Sequence, residues 1–111
     1  MASPTFFIKQ NDTTPALSAF LQDARGRPIN LTGATVVFHM RLASDLTVKI
    51  SGGTVITLSA TQGQVSYTFS ASNTDTAGNY ESEFQVAFSG GEIETFPNDD
   101  YIKVIITDDV V

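Results

Sequence analysis

The sequence predicts an all-β fold, an antiparallel sandwich of about seven to nine short strands, with a closed barrel as the alternative topology. Three observations carry that expectation. Tyr80, Ser82, Phe84, Val86 and Phe88 alternate with Glu81, Glu83, Gln85 and Ala87, a period of two that a helix cannot gather onto one face. Similar short alternations recur along the chain between clusters of Gly, Asn, Asp and Ser. Finally, Asp75-Thr76-Ala77-Gly78 leads into Tyr80, the arrangement of a tyrosine corner, in which an inward ring bonds its hydroxyl to backbone upstream. Tyr80, Asp75 and Gly78 are the expected corner residues, the hydroxyl meeting backbone between Asn73 and Gly78, and the sandwich is expected to be immunoglobulin-like.

Taken in order, Met1 to Phe7 reads as a short N-terminal arm running into a strand-like Phe6-Phe7-Ile8, with Pro4 keeping its start out of any central ladder position. Asn11-Asp12-Thr13-Thr14-Pro15 is a turn, and Ala16 to Gln22 a strand in which Leu17, Ala19 and Leu21 share a face, with a helical turn as the alternative because Ala and Leu favour it. Asp23 to Pro28 ends it with turn chemistry. Thr35 to Leu42 is the clearest early strand, with Val36, Phe38 and Met40 on one side. Strands follow at Leu46 to Ile50, Thr54 to Leu58 and Gln64 to Ser70, with Ser51-Gly52-Gly53 and Ala60 to Gly63 as turns between them. The long strand from Tyr80 turns at Ser89-Gly90-Gly91 into Glu92 to Phe96, and Tyr101 to Thr107 closes the sheet. The predicted inward set is Leu21, Val36, Phe38, Met40, Tyr67, Phe69, Phe84, Val86, Ile102 and Val104.

Length and composition narrow the function. With 111 residues the chain is read as one domain over residues 1–111, and with no cysteine its fold rests on packing alone. Six basic against twelve acidic residues give a net charge of −6, which opposes contact with phosphate backbones, so nucleic acid is not an expected partner. The N-terminus lacks the positive start and apolar stretch of a signal peptide, and no run is long enough to span a bilayer, so the reading is of a protein made and used without export or membrane contact.

The chemistry-bearing residues assemble no catalytic motif. His39 is the single histidine, and the sequence has neither a Gly-x-Ser-x-Gly elbow nor a phosphate loop. The acidic pairs Asp99-Asp100, Asp108-Asp109, Glu81 with Glu83, and Glu92 with Glu94 lack the spacing of a dedicated calcium loop. No catalytic, metal or cofactor site is expected, and Glu81 and Glu83 read as a solvated face. Most of the eight phenylalanines and three tyrosines fall on the inward phase of a strand; Phe6, Phe7, Phe20 and Phe96 fit that phase less well and are the candidate protein contacts.

Four segments in order carry a family resemblance: Ile8 to Pro15, Asn30 to Val36 continuing to Phe38-His39-Met40-Arg41, Thr74 to Tyr80 with Glu83-Phe84, and Glu94-Thr95-Phe96-Pro97. Together they cover most of the chain, which resembles the N-terminal domain of the upper baseplate proteins of tailed phages. The resemblance implies an immunoglobulin-like sandwich residing in a virion assembled in the host cytoplasm, binding other virion proteins and oligomeric within the particle, without catalysis. Position 11 is Asn where the family often has Gly, and Asn tolerates a left-handed turn. The chain reaches Val111 with neither the helical stalk nor the receptor-binding extension of a full baseplate protein. That places a capsid cement or decoration role, and a carbohydrate- or receptor-binding sandwich, beside the baseplate or head–tail adaptor reading.

Overall fold

A computed structural model describes residues 5–110 and is all-β. Nine strands follow one another: β1 (Thr5–Lys9), β2 (Leu17–Phe20), β3 (Thr35–Leu42), β4 (Val48–Thr54), β5 (Ile56–Ser59), β6 (Gln64–Tyr67), β7 (Gly78–Ala87), β8 (Ile93–Phe96) and β9 (Ile102–Thr107). They form two sheets. The larger has the order β1-β9-β7-β3-β4, and the smaller the order β2-β6-β5. Its ten residues let β7 hold two partners along one edge: Gly78 to Ser82 pair with β9, and Phe84 to Ala87 with β8. All strand pairs are antiparallel except β1 with β9, which run parallel from Thr5↔Lys103 to Lys9↔Thr107.

The core lies between the sheets, and all ten residues of the predicted inward set are buried in it. Phe38 of β3 is its centre. Its ring stacks on Tyr67 of the small sheet at 4.4 Å and lies 5.1 Å from Phe84 and 6.0 Å from Phe69, so one side chain joins both layers. The polar atoms drawn inward are satisfied: Tyr67 Oη donates to Asn73 Oδ1 at 2.8 Å, and Ser82 Oγ donates to the Ile102 carbonyl at 2.9 Å. Glycine is required where β4 crosses Tyr67, because a Cβ on Gly53 would lie 2.6 Å from the ring. Asn11 has φ 68°, the left-handed turn that asparagine tolerates, and its N–H donates to the Thr74 carbonyl.

Several expectations are corrected. Thr5 to Phe7 are the first residues of β1 and not part of a free arm, because their backbone pairs with Lys103 to Ile105; Met1 to Pro4 of that expected arm lie outside the described residues. Ser51-Gly52-Gly53 is not a turn but the middle of β4. The β3–β4 register shifts between Phe38↔Gly53 and Met40↔Ile50, and the one extra residue of β4 is absorbed as a bulge with Gly52 at φ 71°. The chain then passes through Val55 from the edge of the large sheet to the edge of the small one, so β4 and β5 are one extended run divided between two layers.

Candidate functional site

Tyr80 stands at the start of β7, 3% exposed, and its hydroxyl donates to the Thr76 carbonyl at 2.7 Å. Burial pushes its pKa upward. Gly78 precedes it with φ 155°, a backbone setting that side chains rarely adopt. Asp75 has a different task from the ring. Its carboxylate accepts from Lys49 Nζ of β4 and from Thr76 Oγ1, and these bonds, the lysine first, hold its pKa below the usual carboxylate range. The turn is thus fixed by a tyrosine on its inner side and an ion pair on its outer side.

The four candidate contact phenylalanines do not form one surface. Phe6 points inward and stacks on Phe69 at 5.7 Å. Phe96 is 3% exposed, because its register partner is Phe84, whose side chain fills the core. Burial therefore corrects the expectation that Phe96 is a surface contact. Phe7 and Phe20 are exposed, at 61% and 59%, but they belong to different sheets: Phe7 to the β1 edge of the large sheet, Phe20 to the small sheet.

On the outer face of the large sheet, His39 is held at both ring nitrogens. Nδ1 accepts from the Gly52 N–H at 3.0 Å, so Nε2 carries the proton it shares with Gln85 Oε1 at 2.8 Å. Both nitrogens are engaged within the domain, and through the Gly52 N–H the ring buttresses the β4 bulge. Beside it, Arg41 Nε donates to Glu81 Oε1 at 2.9 Å and Nη2 to Tyr101 Oη at 3.0 Å, with the guanidinium 5.0 Å from the Tyr101 ring centre. The Glu81 bond, ahead of other effects, raises the Arg41 pKa. Tyr101 separates two open hollows, one lined by His39, Arg41, Glu81 and Glu83, the other by Asn79, Asp100 and Lys103. Among the described residues no cluster of three or more His, Cys, Asp or Glu is arranged to hold a metal ion, and no helix is long and apolar enough to cross a membrane.

The small sheet presents a different surface. The register Ser18↔Ser66↔Ile56 and Phe20↔Gln64 places these side chains on its outer face, opposite inward Leu17, Val65 and Tyr67. Phe20, Ile56 and Leu58 are all more than half exposed. None of its three strands carries a charge, and no charged residue occurs anywhere between Lys49 and Asp75. Composition held this signal, since the uncharged stretch can be read in the sequence; it becomes a surface only when pairing sets β5 and β6 beside β2.

The family model of the BppU N-terminal domain, the N-terminal domain of the baseplate upper protein, matches residues 5–97, and the chain belongs to that family of phage baseplate structural proteins. The match ends at Pro97, yet β9 beyond it completes the large sheet by pairing with both β1 and β7. No curated protein matches the chain.

Proposed function

We propose that this protein is a non-enzymatic assembly module of the virion, an adaptor that docks onto other virion proteins in the baseplate, tail or head–tail region and is present in several copies per particle. The observation that carries the reading is the uncharged, partly apolar outer face of the small sheet, with Phe20 at 59% exposure, on a chain whose net charge is −6. Such a face loses little by desolvation and gains by burial, at about 25 cal/mol per Å² of apolar surface. Family membership supports the virion setting. The engaged nitrogens of His39 support a structural over a catalytic role, and the acidic balance supports protein partners over nucleic acid or anionic membrane.

The decisive experiment is incorporation of Phe7→Ser and Phe20→Ser variants into particles. Both positions are exposed, so each variant should keep the parent's unfolding free energy to within about 0.5 kcal/mol. Phe20→Ser is expected to lower occupancy in purified particles, and Phe7→Ser will do so if the β1 edge also docks. Wild-type occupancy for the double variant would move the contact elsewhere, and absence of the intact protein from particles would end the virion reading. A second reading, recognition of a receptor saccharide, is favoured by one observation. Tyr101 is a half-exposed aromatic beside Arg41 and the carboxylates of Glu81 and Glu83. Binding of the isolated protein on a glycan array would select it.

A further inference from the structure

We propose that two copies of this chain pair through the open edge of β5, strand against strand about a two-fold axis at Thr57, extending the small sheet across the dimer. This inference stands apart from the virion reading and concerns the isolated protein.

The edge is open and uncharged, and its irregularity is the β5–β6 register shift between Thr57 and Ser59. β5 is hydrogen-bonded to β6 alone, so its other side presents unpaired backbone N–H and C=O groups. Protein edges are usually blunted by charge or proline. Here no charged residue lies between Lys49 and Asp75 and no proline between Pro28 and Pro97, while Lys49 is already tied to Asp75. The other edges differ: β1 carries Lys9, β4 carries Lys49 and is bulged, β8 carries Glu94 and runs into Pro97, and β2 is flanked by Pro15 and closed at its far end by the Gln22↔Pro28 bridge. Two of the eight large hydrophobic side chains exposed among the described residues, Ile56 and Leu58, lie on this one four-residue strand.

Charge selects a second copy as the occupant. Two chains of net charge −6 repel wherever their acidic surfaces meet, and the small sheet, whose strands carry no charged residue, lets them approach without opposing like charges there. The edge is also self-complementary. An antiparallel two-fold at Thr57 sets Ile56 of one copy opposite Leu58 of the other, and the reverse, giving two apolar cross-strand pairs from one strand. Such an isologous contact closes on itself and ends at the dimer, where a head-to-tail contact would propagate a fibre.

The test is sedimentation of the full chain from about 1 to 100 µM, a range that brackets micromolar association. The parent is expected to show its mass doubling with concentration. Ile56→Lys and Leu58→Glu, each at an exposed position, should leave the thermal midpoint unchanged and abolish the doubling. The double variant should recover dimer, because the two-fold sets each new lysine opposite the partner copy's new glutamate. A parent that stays monomeric throughout overturns the proposal, as does a single-charge variant that still dimerises, or a double variant that does not recover. Should the parent be monomeric while the charged variants drop out of particles, the edge serves a different virion protein, and the second copy is refuted while the virion reading stands.

Discussion

The strands of the large sheet carry Lys9, Arg41, Lys49, Glu81, Glu83, Glu94 and Lys103, whereas β2, β5 and β6 carry no charged residue, although both sheets face one core, the large one with most of its buried apolar side chains and the small one with Leu17, Val65 and Tyr67. Packing therefore does not explain the asymmetry, since inward positions are apolar on both sides. The difference lies entirely in what faces water. On the large sheet the outward positions are spent on bonds within the domain, such as Arg41 to Glu81 and Tyr101, and His39 between Gly52 and Gln85. On the small sheet they hold Ser18, Phe20, Gln64, Ser66 and Ile56, and the only side-chain bond among them is a long one of 3.4 Å between Ser18 and Ser66. One layer supplies its own surface partners, and the other leaves its surface for something else.

The largest expected effect comes from removing the side chain the two layers share. Phe38→Ala should cost about 3–5 kcal/mol by cavity formation. If the sheets are one cooperative unit, tyrosine fluorescence and far-ultraviolet circular dichroism will lose structure at the same denaturant concentration. Separate transitions would turn the surface contrast into a difference in stability as well. Next, Tyr80→Phe removes a hydroxyl bonded to the Thr76 carbonyl and should cost about 1 kcal/mol or somewhat more, read as a lower denaturation midpoint. An unchanged midpoint would show that the large sheet does not depend on this corner.

The smallest effect sharpens the electrostatic side of the contrast. Asp75, Asp23 and Asp45 have pKa values held below the ordinary carboxylate range: Asp75 chiefly by Lys49, Asp23 chiefly by the Arg27 backbone N–H, and Asp45 chiefly by that of Thr47. Because the folded pKa is the lower one, their contribution is present above the unfolded value near 3.8 and is lost as pH falls below it. Asp75→Asn should therefore weaken the parent's loss of stability on acidification while lowering the midpoint slightly at neutral pH. Asp75 and Asp45 are exposed and Asp23 is only partly buried, so the change is small. Urea midpoints at several pH values would measure it, and an acid limb identical to the parent's would remove Asp75 from the account.

Local pattern made much of this fold legible. Thr35 to Leu42 is a strand from end to end, and the alternation after Tyr80 places Phe84 and Val86 inward as read, because both strands have buried neighbours on the core face and solvent on the other. The failures occur where local period is overruled by a partner. β8 shows this best: Ile93 is exposed while Phe96 is buried, because pairing with β7 sets Ile93 opposite exposed Ala87 and Phe96 opposite Phe84. The glycines of β4 read as a turn for a similar reason, since a bulge and a turn use the same residues and only the register against β3 separates them. The parallel pairing of Thr5 to Lys9 with the last strand joins residues too far apart for any window to connect. The four candidate phenylalanines read alike in the sequence, and only register separates exposed Phe7 and Phe20 from inward Phe6 and Phe96, whereas the neutrality of the small sheet is a property of three segments that no single one announces.

The parallel pairing of β1 with β9 has a mechanical meaning. Thr5 and Thr107 lie at opposite ends of the same ladder, so tension applied between them acts along the strands and not across them. Five residue pairs then share the load and must slip together, where an antiparallel arrangement pulled from one end would open pair by pair. A module built this way resists being drawn out lengthwise through its first and last strands and yields more readily to forces that peel β1 sideways.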